Sequence, residues 1–411
     1  MKNLLNRGKV IFQYFSASLI PMILSLAINP FVAMNMSPED YSISGYYTAF
    51  SSLITPIVLF YFLHYYQKRY FEVNLEERVL LKSLIVRSLI VTSAILSILC
   101  FIGLYIYVKF LAPDFSFPIF PYLLFVVTTA YLGGIYNFQL SEYKMSRQPK
   151  KFSNLSIFTG VLSSSFVLVF VVLLKLGAWG KLFAPMFCSF IIFIYLVYKN
   201  RNIWKIKIDV KEYKIVLVFC LPLAVGSALG YFMNGFDRTY LEQIGNITEY
   251  GNYIVGVQIG LYVNIFASAI STTFSPDICE SIATNNTSRF WKYSYLQIGL
   301  IAAIVLIFIL LCPLTIKILT AGRYMGAVPY ASIIALSSVT SSIYYIVNYY
   351  SIATNRPKLY LYTTIIGSII IIFLYPIIIP KFKYIGGAIM VVSSYIILLV
   401  INLALLKIIK K

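Results

Sequence analysis

Apolar stretches of about twenty residues or more recur along the whole length of this sequence, and they limit the folds that it can adopt. A helix of about 20 apolar residues crosses a hydrocarbon core of about 30 Å. Backbone polar groups inside a bilayer must be satisfied internally, so such segments form helices or a closed barrel. The stretches lack the period-two alternation of barrel strands, which favours helices. Only 11% of the residues are charged, against about 25% in soluble domains. The sequence therefore predicts an all-α integral membrane protein.

The apolar stretches divide into about twelve transmembrane spans. Their predicted limits are 10–33, 42–64, 84–107, 117–140, 152–174, 182–198, 213–236, 253–276, 293–313, 325–351, 359–379 and 384–406. The first span is longer than a signal-peptide core and has no small-residue cleavage site, so we expect it to be retained.

Lysine and arginine set the orientation of these spans. With the N-terminus in the cytoplasm, 24 of the 33 basic residues fall in cytoplasmic segments, eight fall in outer loops, and Arg87 lies inside a span. Positive charge concentrates on the cytoplasmic side of membrane proteins. We therefore predict a multi-pass protein of the bacterial inner membrane with both termini in the cytoplasm. The net charge of +19 reflects this topology and does not indicate nucleic-acid binding.

The two halves of the chain resemble each other. Pro149 and Pro357 are 208 residues apart, Gly160 and Gly367 are 207 apart, and Gly180 and Gly386 are 206 apart. Pro21 and Pro222 form a fourth pair, 201 apart. We interpret these pairs as a duplicated six-helix unit, and six helices per unit give both copies the same orientation, as in parallel-repeat transporters. The prediction is a bundle of residues 1–205 and a bundle of residues 206–411 around a central cavity.

Metal and cofactor chemistry is not indicated. The five cysteines form no C-x-x-C pair and are interpreted as packing residues. The single histidine, His64, has no second histidine or acidic cluster near it in the sequence. We predict no metal site, no catalytic residue, no cofactor and no ATP-binding motif.

A recognisable pattern occupies the seventh and eighth spans. It consists of Asp237-Arg238-x-x-Leu241 followed by Tyr250-Gly251-x-Tyr253-x-x-Gly256-x-Gln258-Ile259. The segments Gly322-Arg323-Tyr324, Asn355-Arg356-Pro357-Lys358 and Ile385-Gly386-Gly387-Ala388 fit the same pattern. Together they resemble polysaccharide-type flippases for O-antigen or capsule repeat units, in the multidrug/oligosaccharidyl-lipid/polysaccharide exporter superfamily. One glycine of the usual loop is displaced, here Gly245.

The resemblance implies an alternating-access flippase that turns a polyprenyl-pyrophosphate-linked oligosaccharide from the cytoplasmic to the periplasmic leaflet. Its expected partners are this lipid, the membrane lipids and, among proteins, a polymerase and other polysaccharide-assembly proteins. The resemblance also marks Asp237, Gly251 and Tyr253 as motif residues.

Charged residues in or beside spans are candidate substrate contacts. Placing a charge inside a membrane costs free energy, so such residues usually have a function. Arg87 lies about one turn inside the third span, where it either snorkels to the cytoplasmic surface or binds pyrophosphate with its planar guanidinium. Arg238 and Arg323 lie at the outer ends of spans and either brace helix ends or contact substrate. Arg7, at the mouth of the first span, either sets orientation or meets the incoming headgroup.

Uncharged amides give a second set of candidates. Asn29, Asn234, Asn264 and Asn348 lie within spans. Such side chains either hydrogen-bond sugar hydroxyls in a hydrated cavity or link neighbouring helices. Both interpretations stay open at this point.

Three other functions fit the sequence less well. An enzyme would need an acid-base pair or a nucleophile near a surface, and the chain offers few. A major facilitator would carry a glycine-containing motif in its second-to-third loop, but this loop reads Gln67-Lys68-Arg69-Tyr70-Phe71-Glu72. A cation-coupled drug/toxin antiporter is the main alternative, and many such proteins place a carboxylate in the first span. That span contains Asn29 and no acid, which favours an anionic substrate driven by the membrane potential or an ion gradient.

Overall fold

The computed structural model describes residues 2–111, 117–202, 210–284, 286–353 and 358–410. These residues form helices and the turns that join them, with no strand in these ranges. The chain divides into two compact units, Met1–Ala228 and Leu229–Lys411. The predicted division at residues 205/206 falls within 203–209, outside the described residues, and stays a prediction.

The described residues of the N-terminal unit form nine α-helices. They are α1 (Lys2–Asn35), α2 (Pro38–Ala49), α3 (Ser51–Leu59), α4 (Phe62–Arg69), α5 (Leu75–Ile106), α6 (Tyr122–Met145), α7 (Pro149–Val167), α8 (Gly177–Lys199) and α9 (Val210–Ala228). Short π-helical turns continue α5 to Leu111 and α7 to Leu173. Within this unit α1 packs along α7, and α6 packs along α8.

Eight α-helices are formed by the part of the C-terminal unit that the structure describes. They are α10 (Tyr231–Asn234), α11 (Phe236–Leu241), α12 (Ile247–Leu261), α13 (Val263–Ala283), α14 (Thr287–Leu319), α15 (Val328–Ala335), α16 (Ser337–Ala353) and α17 (Lys358–Lys410). The main packing pairs are α12 with α15, α13 with α14, and α16 with α17. Val263, Ala267, Ile301, Val305 and Ala335 form an apolar core where α13, α14 and α15 meet.

The all-α membrane fold predicted from the sequence is confirmed. Nine helical segments in the described part of the chain are long and apolar enough to cross a membrane. The number is ten if one bent pair of helices is counted as a single span. The apolar part of α1, Leu19–Asn35, matches the first predicted span. The eleventh and twelfth predicted spans are two parts of α17, which is interrupted at Lys383 (φ 47°, ψ −131°). Every predicted span therefore has a helical counterpart.

The second predicted span, 42–64, is wrong as a single helix. Two consecutive residues with left-handed backbone, Phe60 (φ 46°) and Tyr61 (φ 58°), separate α3 from α4. The two segments Pro38–Leu59 and Phe62–Arg69 meet at a bend of 50°. Neither residue is a glycine, so the apolar pattern contains no signal for the break. The ring of Tyr61 stacks on His64, with their centroids 4.3 Å apart.

Equivalent local structures in the two units extend the internal repeat. Ser37 caps α2 by accepting a hydrogen bond from the Asp40 amide (3.1 Å). Asn246, 209 residues later, caps α12 in the same way through the Glu249 amide (3.1 Å). Lys175 has a left-handed backbone (φ 52°), as Lys383 does 208 residues later. Since one helix cap and one unusual backbone position recur at nearly the offset of the sequence pairs, the repeat is present in the structure as well as in the sequence.

Two close helix contacts rely on the absence of a side chain. A Cβ atom added to Gly160 on α7 would lie 2.6 Å from the Pro21 Cβ on α1. A Cβ added to Gly256 on α12 would lie 2.6 Å from the Tyr330 Cβ on α15. Small residues allow this close approach between helices in membranes. Gly160 and Gly256 therefore set the spacing of one main helix pair in each unit.

Candidate functional site

A polar cavity of about 420 Å³ lies within the C-terminal unit, between α13, α16 and α17. Its lining consists of hydroxyl-bearing and amide side chains with one alanine. They are Asn264, Ala267, Ser268, Ser271, Thr272, Ser338, Ser341, Ser342, Tyr345 and Tyr395. All ten of these described lining residues are uncharged. A cavity with this lining can exchange many neutral hydrogen bonds with a ligand.

The helical register explains how the hydroxyl groups converge. Ser268, Ser271 and Thr272 follow an i, i+3, i+4 pattern on α13. The same pattern recurs on α16 as Ser338-x-x-Ser341-Ser342. Residues three and four apart share one face of a helix, so each helix turns a row of hydroxyl groups toward the other.

Gln297 on α14 anchors the two rows. Its side chain is fully buried, and its Nε2 atom donates hydrogen bonds to the Oγ atoms of Ser271 (3.1 Å) and Ser342 (2.9 Å). Within the described ranges its Oε1 atom has no hydrogen-bond donor. A buried acceptor without a donor costs about 1–3 kcal/mol. Gln297 lies behind the lining and fixes the positions of Ser271 and Ser342, which both line the cavity.

Two of the predicted amides belong to this site. Asn264 lines the cavity, and its Oδ1 atom accepts a hydrogen bond from the Ser338 hydroxyl (2.6 Å). Asn234 is exposed on α10 and is not part of the lining, but its Oδ1 atom accepts a hydrogen bond from the hydroxyl of the lining residue Tyr395 (2.9 Å). Asn264 is therefore placed for ligand contact, whereas Asn234 orients a tyrosine that lines the cavity.

Tyrosine rings form one side of the cavity. The ring centroids of Tyr345 and Tyr395 are 6.4 Å apart, and Tyr344 packs against both at 5.3 and 6.4 Å. Tyr345 is 45% exposed, whereas Tyr395 is 9% exposed. Tyrosine combines an apolar ring with a polar tip, so this side offers both a flat apolar surface and hydroxyl groups.

The motif residues Asp237 and Tyr253 form a separate buried contact. The Tyr253 hydroxyl donates a hydrogen bond to Asp237 Oδ2 (2.6 Å), and the Tyr250 hydroxyl donates to the Arg238 carbonyl (2.7 Å). The Arg238 guanidinium donates to the Asn234 carbonyl, and its Nε atom is 3.9 Å from Asp237 Oδ1. This network joins α11 to α12. Gly251 is buried in the first turns of α12.

The remaining predicted residues are dispersed. Arg87 is half-buried on α5 and Asn29 is buried on α1, so both belong to the N-terminal unit. Arg323 is exposed in the turn after α14. Asn348 is buried on α16, and its Oδ1 atom accepts no hydrogen bond from the described residues. The side chain of Arg7 lies outside the described residues.

The cavity serines and Gln297 were not predicted as site residues from the sequence. Serine is common in membrane helices, and each serine alone carries little information. The usable signal was the i, i+3, i+4 spacing of hydroxyl residues on two separate spans, together with one glutamine in a third span.

In the described residues, no group of three or more histidine, cysteine or acidic side chains is placed to hold a metal ion.

Comparison with known proteins identifies the family. The profile of a family described as "Polysaccharide biosynthesis protein" matches residues 8–281. The match covers more than half of the chain, so the chain belongs to this family. No curated protein matches it significantly.

Solved structures of similar fold are superfamily transporters. A lipid II flippase, MurJ, in an inward closed conformation is 16% identical, with a TM-score of 0.72 over 96% of this chain and 87% of that one. An inward-facing multidrug resistance MATE family transporter of the MOP superfamily is 12% identical, with a TM-score of 0.69 over 95% and 96%. A MOP superfamily transporter from Pyrococcus furiosus is 12% identical, with a TM-score of 0.61 over 97% and 95%. The chain therefore has the fold of this superfamily, whose members here are transporters and a flippase.

Proposed function

We propose that this polysaccharide biosynthesis family protein is a flippase for a polyprenyl-pyrophosphate-linked oligosaccharide. It takes the lipid-linked repeat unit of an O-antigen, capsule or related polymer from the cytoplasmic leaflet of the bacterial inner membrane. It releases the unit in the periplasmic leaflet by alternating access. Both termini lie in the cytoplasm, as the distribution of basic residues indicates.

The observation that carries this proposal is the uncharged cavity lined by serines, Asn264 and tyrosines. Sugar rings present many hydroxyl groups and apolar faces, which match hydroxyl, amide and aromatic partners. A carboxylate, the group expected in a cation-coupled antiporter, does not occur among the ten lining residues. The lining thus supports an oligosaccharide over the cation-coupled drug/toxin antiporter considered above.

The driving force in this proposal is electrical. The pyrophosphate makes the substrate anionic, so outward movement runs with an inside-negative potential worth about 2.3 kcal/mol per charge per 100 mV. No cofactor takes part. An ion gradient adds to the drive if an ion is exchanged for the substrate. Collapse of the potential in vesicles with a potassium ionophore is expected to slow flipping, and an unchanged rate would contradict this part of the proposal.

Deletion of the gene in its host is the direct cellular test. The lipid-linked repeat unit should accumulate on the cytoplasmic leaflet, the surface polymer should disappear, and the wild-type gene should restore both. A polymerase and other assembly proteins act after this step, so their loss should instead leave repeat units in the periplasmic leaflet. Normal polymer with increased sensitivity to cationic drugs would assign the chain to drug export.

A further inference from the structure

A second groove lies in the N-terminal unit and is unrelated to the polar cavity. It has a volume of about 530 Å³ and is bounded by α6, α7 and α8. Its lining is apolar in the middle and basic at one end. The lining residues are Tyr143, Lys151, Asn154, Leu155, Phe158, Ile191, Ile192, Tyr195 and Lys199. We call it the lysine groove.

The register of two helices produces this polarity. On α7, Lys151, Leu155 and Phe158 lie on one face in order of increasing distance from the helix start. On α8, Ile191, Tyr195 and Lys199 lie at i, i+4 and i+8 and end at the last helical residue. The two lysines therefore lie at the same end of the groove. Phe158 is about 10 Å further along, at a helical rise of about 1.5 Å per residue.

Lys199 is held in place at this end. Its ammonium group donates a hydrogen bond to the Tyr143 hydroxyl and lies 5.1 Å from the centroid of the Tyr143 ring. Tyr143 is itself buried. A cation fixed in this way stays at the rim of the groove, whereas a free lysine would extend into water.

The positive charge at this end of the groove is not neutralised by the groove itself. The nine described lining residues include no carboxylate. The nearby Glu142 is engaged elsewhere, because its Oε1 atom is 2.6 Å from Lys82 Nζ and its Oε2 atom accepts a hydrogen bond from Gln139 (2.7 Å). Lys144, Arg147 and Lys150, in and beside the α6–α7 turn, add further positive charge.

We propose that the lysine groove binds an anionic membrane phospholipid. The phosphate lies between Lys151 and Lys199, and the start of an acyl chain follows the apolar surface past Leu155 toward Phe158. Phe158 is 57% exposed and Tyr195 is 54% exposed, which leaves the apolar part open to a lipid chain. Basic pockets between membrane helices bind anionic headgroups in this manner. In the topology proposed above, the groove lies at the cytoplasmic surface, where anionic lipids are abundant. The proposal does not depend on the transported substrate.

Native mass spectrometry of the purified protein with phosphatidylglycerol and phosphatidylcholine tests this site. Wild type should retain phosphatidylglycerol in preference to phosphatidylcholine. The variant Lys151→Gln/Lys199→Gln should lose about tenfold in phosphatidylglycerol affinity, whereas Lys151→Arg/Lys199→Arg should keep it.

The matched control is Lys144→Gln/Lys150→Gln, which removes the same charge from two exposed residues outside the groove lining. The proposal would be overturned if both glutamine variants lost phosphatidylglycerol affinity equally. It would also be overturned if wild type bound phosphatidylglycerol no better than phosphatidylcholine. A polyprenyl pyrophosphate is the other lipid with this headgroup chemistry. Its displacement of phosphatidylglycerol at equal concentration would show that the groove binds the carrier lipid instead.

Discussion

The hydroxyl of Tyr253 on α12 lies 2.6 Å from Oδ2 of Asp237 on α11, and both side chains are buried. A Cβ atom added to Gly387 on α17 would lie 3.1 Å from the same tyrosine hydroxyl and 2.4 Å from Leu241 Cδ1. Two segments of the family motif and a glycine from the last span therefore meet at one point. Asp237, Tyr253 and Gly387 are distant in the chain, and their shared packing contact explains why all three occur in the family motif.

The variant Tyr253→Phe should destabilise the protein by about 1–2 kcal/mol, because it leaves a buried carboxylate without one of its hydrogen-bond donors. The measurement is the unfolding temperature of the purified protein in detergent. Tyr240→Phe is the matched control. The ring of Tyr240 packs on Phe236 and Tyr375, and a phenylalanine at this position keeps both ring contacts. Equal unfolding temperatures for the two variants would contradict the role assigned to the Asp237 contact.

The variant Gly160→Ala should destabilise the N-terminal unit by about 1–3 kcal/mol, because the new methyl group overlaps Pro21 and separates α1 from α7. Gly103→Ala is the control, since in the described structure a Cβ atom there meets nothing within 4 Å. That control should be neutral or slightly stabilising, as alanine favours a helix. Thermal unfolding of the two variants side by side gives the comparison. A stable Gly160→Ala variant would show that α1 does not pack this closely.

The variant Gln297→Leu should lower oligosaccharide-lipid flipping about tenfold while the protein stays folded. It removes the donor that orients Ser271 and Ser342 and the unpaired acceptor beside the cavity. A single neutral hydrogen bond is worth about 0.5–1.5 kcal/mol, so two or three weakened contacts account for the expected loss. Thr315→Val is the control, because Thr315 is half-buried on α14 and lies outside the cavity lining. Full flipping activity in Gln297→Leu would exclude the cavity as the sugar site.

Helix positions were accessible from the sequence because hydrophobic length is imposed by the bilayer. The break at Phe60 and Tyr61 was not, since two aromatic residues in left-handed conformation have no local signature. The amide Asn264 was found because polar side chains within a span are conspicuous. Its hydroxyl neighbours were not found, because a serine such as Ser341, which donates to the Ser338 carbonyl (3.2 Å), satisfies itself on its own helix backbone and so costs little free energy in a membrane.

The role of Asp237 shows a second limit. From the sequence, its position beside Arg238 at the end of a predicted span favoured bracing of the helix end and left substrate contact as the alternative. Its 1% exposure and its bond to Tyr253 are tertiary facts that depend on how α11 and α12 pack. Arg87 and Arg323 stay predictions as substrate contacts.

The proposed flippase activity is measured most directly with purified protein in proteoliposomes that contain a labelled polyprenyl-pyrophosphate-linked oligosaccharide. An added glycosidase that cannot enter the vesicles measures the labelled sugar in the outer leaflet over time, with protein-free vesicles as the baseline. We expect protein-dependent movement of the label between leaflets. It should be faster with the potential imposed than without it, and slower in Gln297→Leu but not in Thr315→Val. Movement no faster than the baseline, together with exchange of a cationic dye for sodium ions or protons, would contradict it.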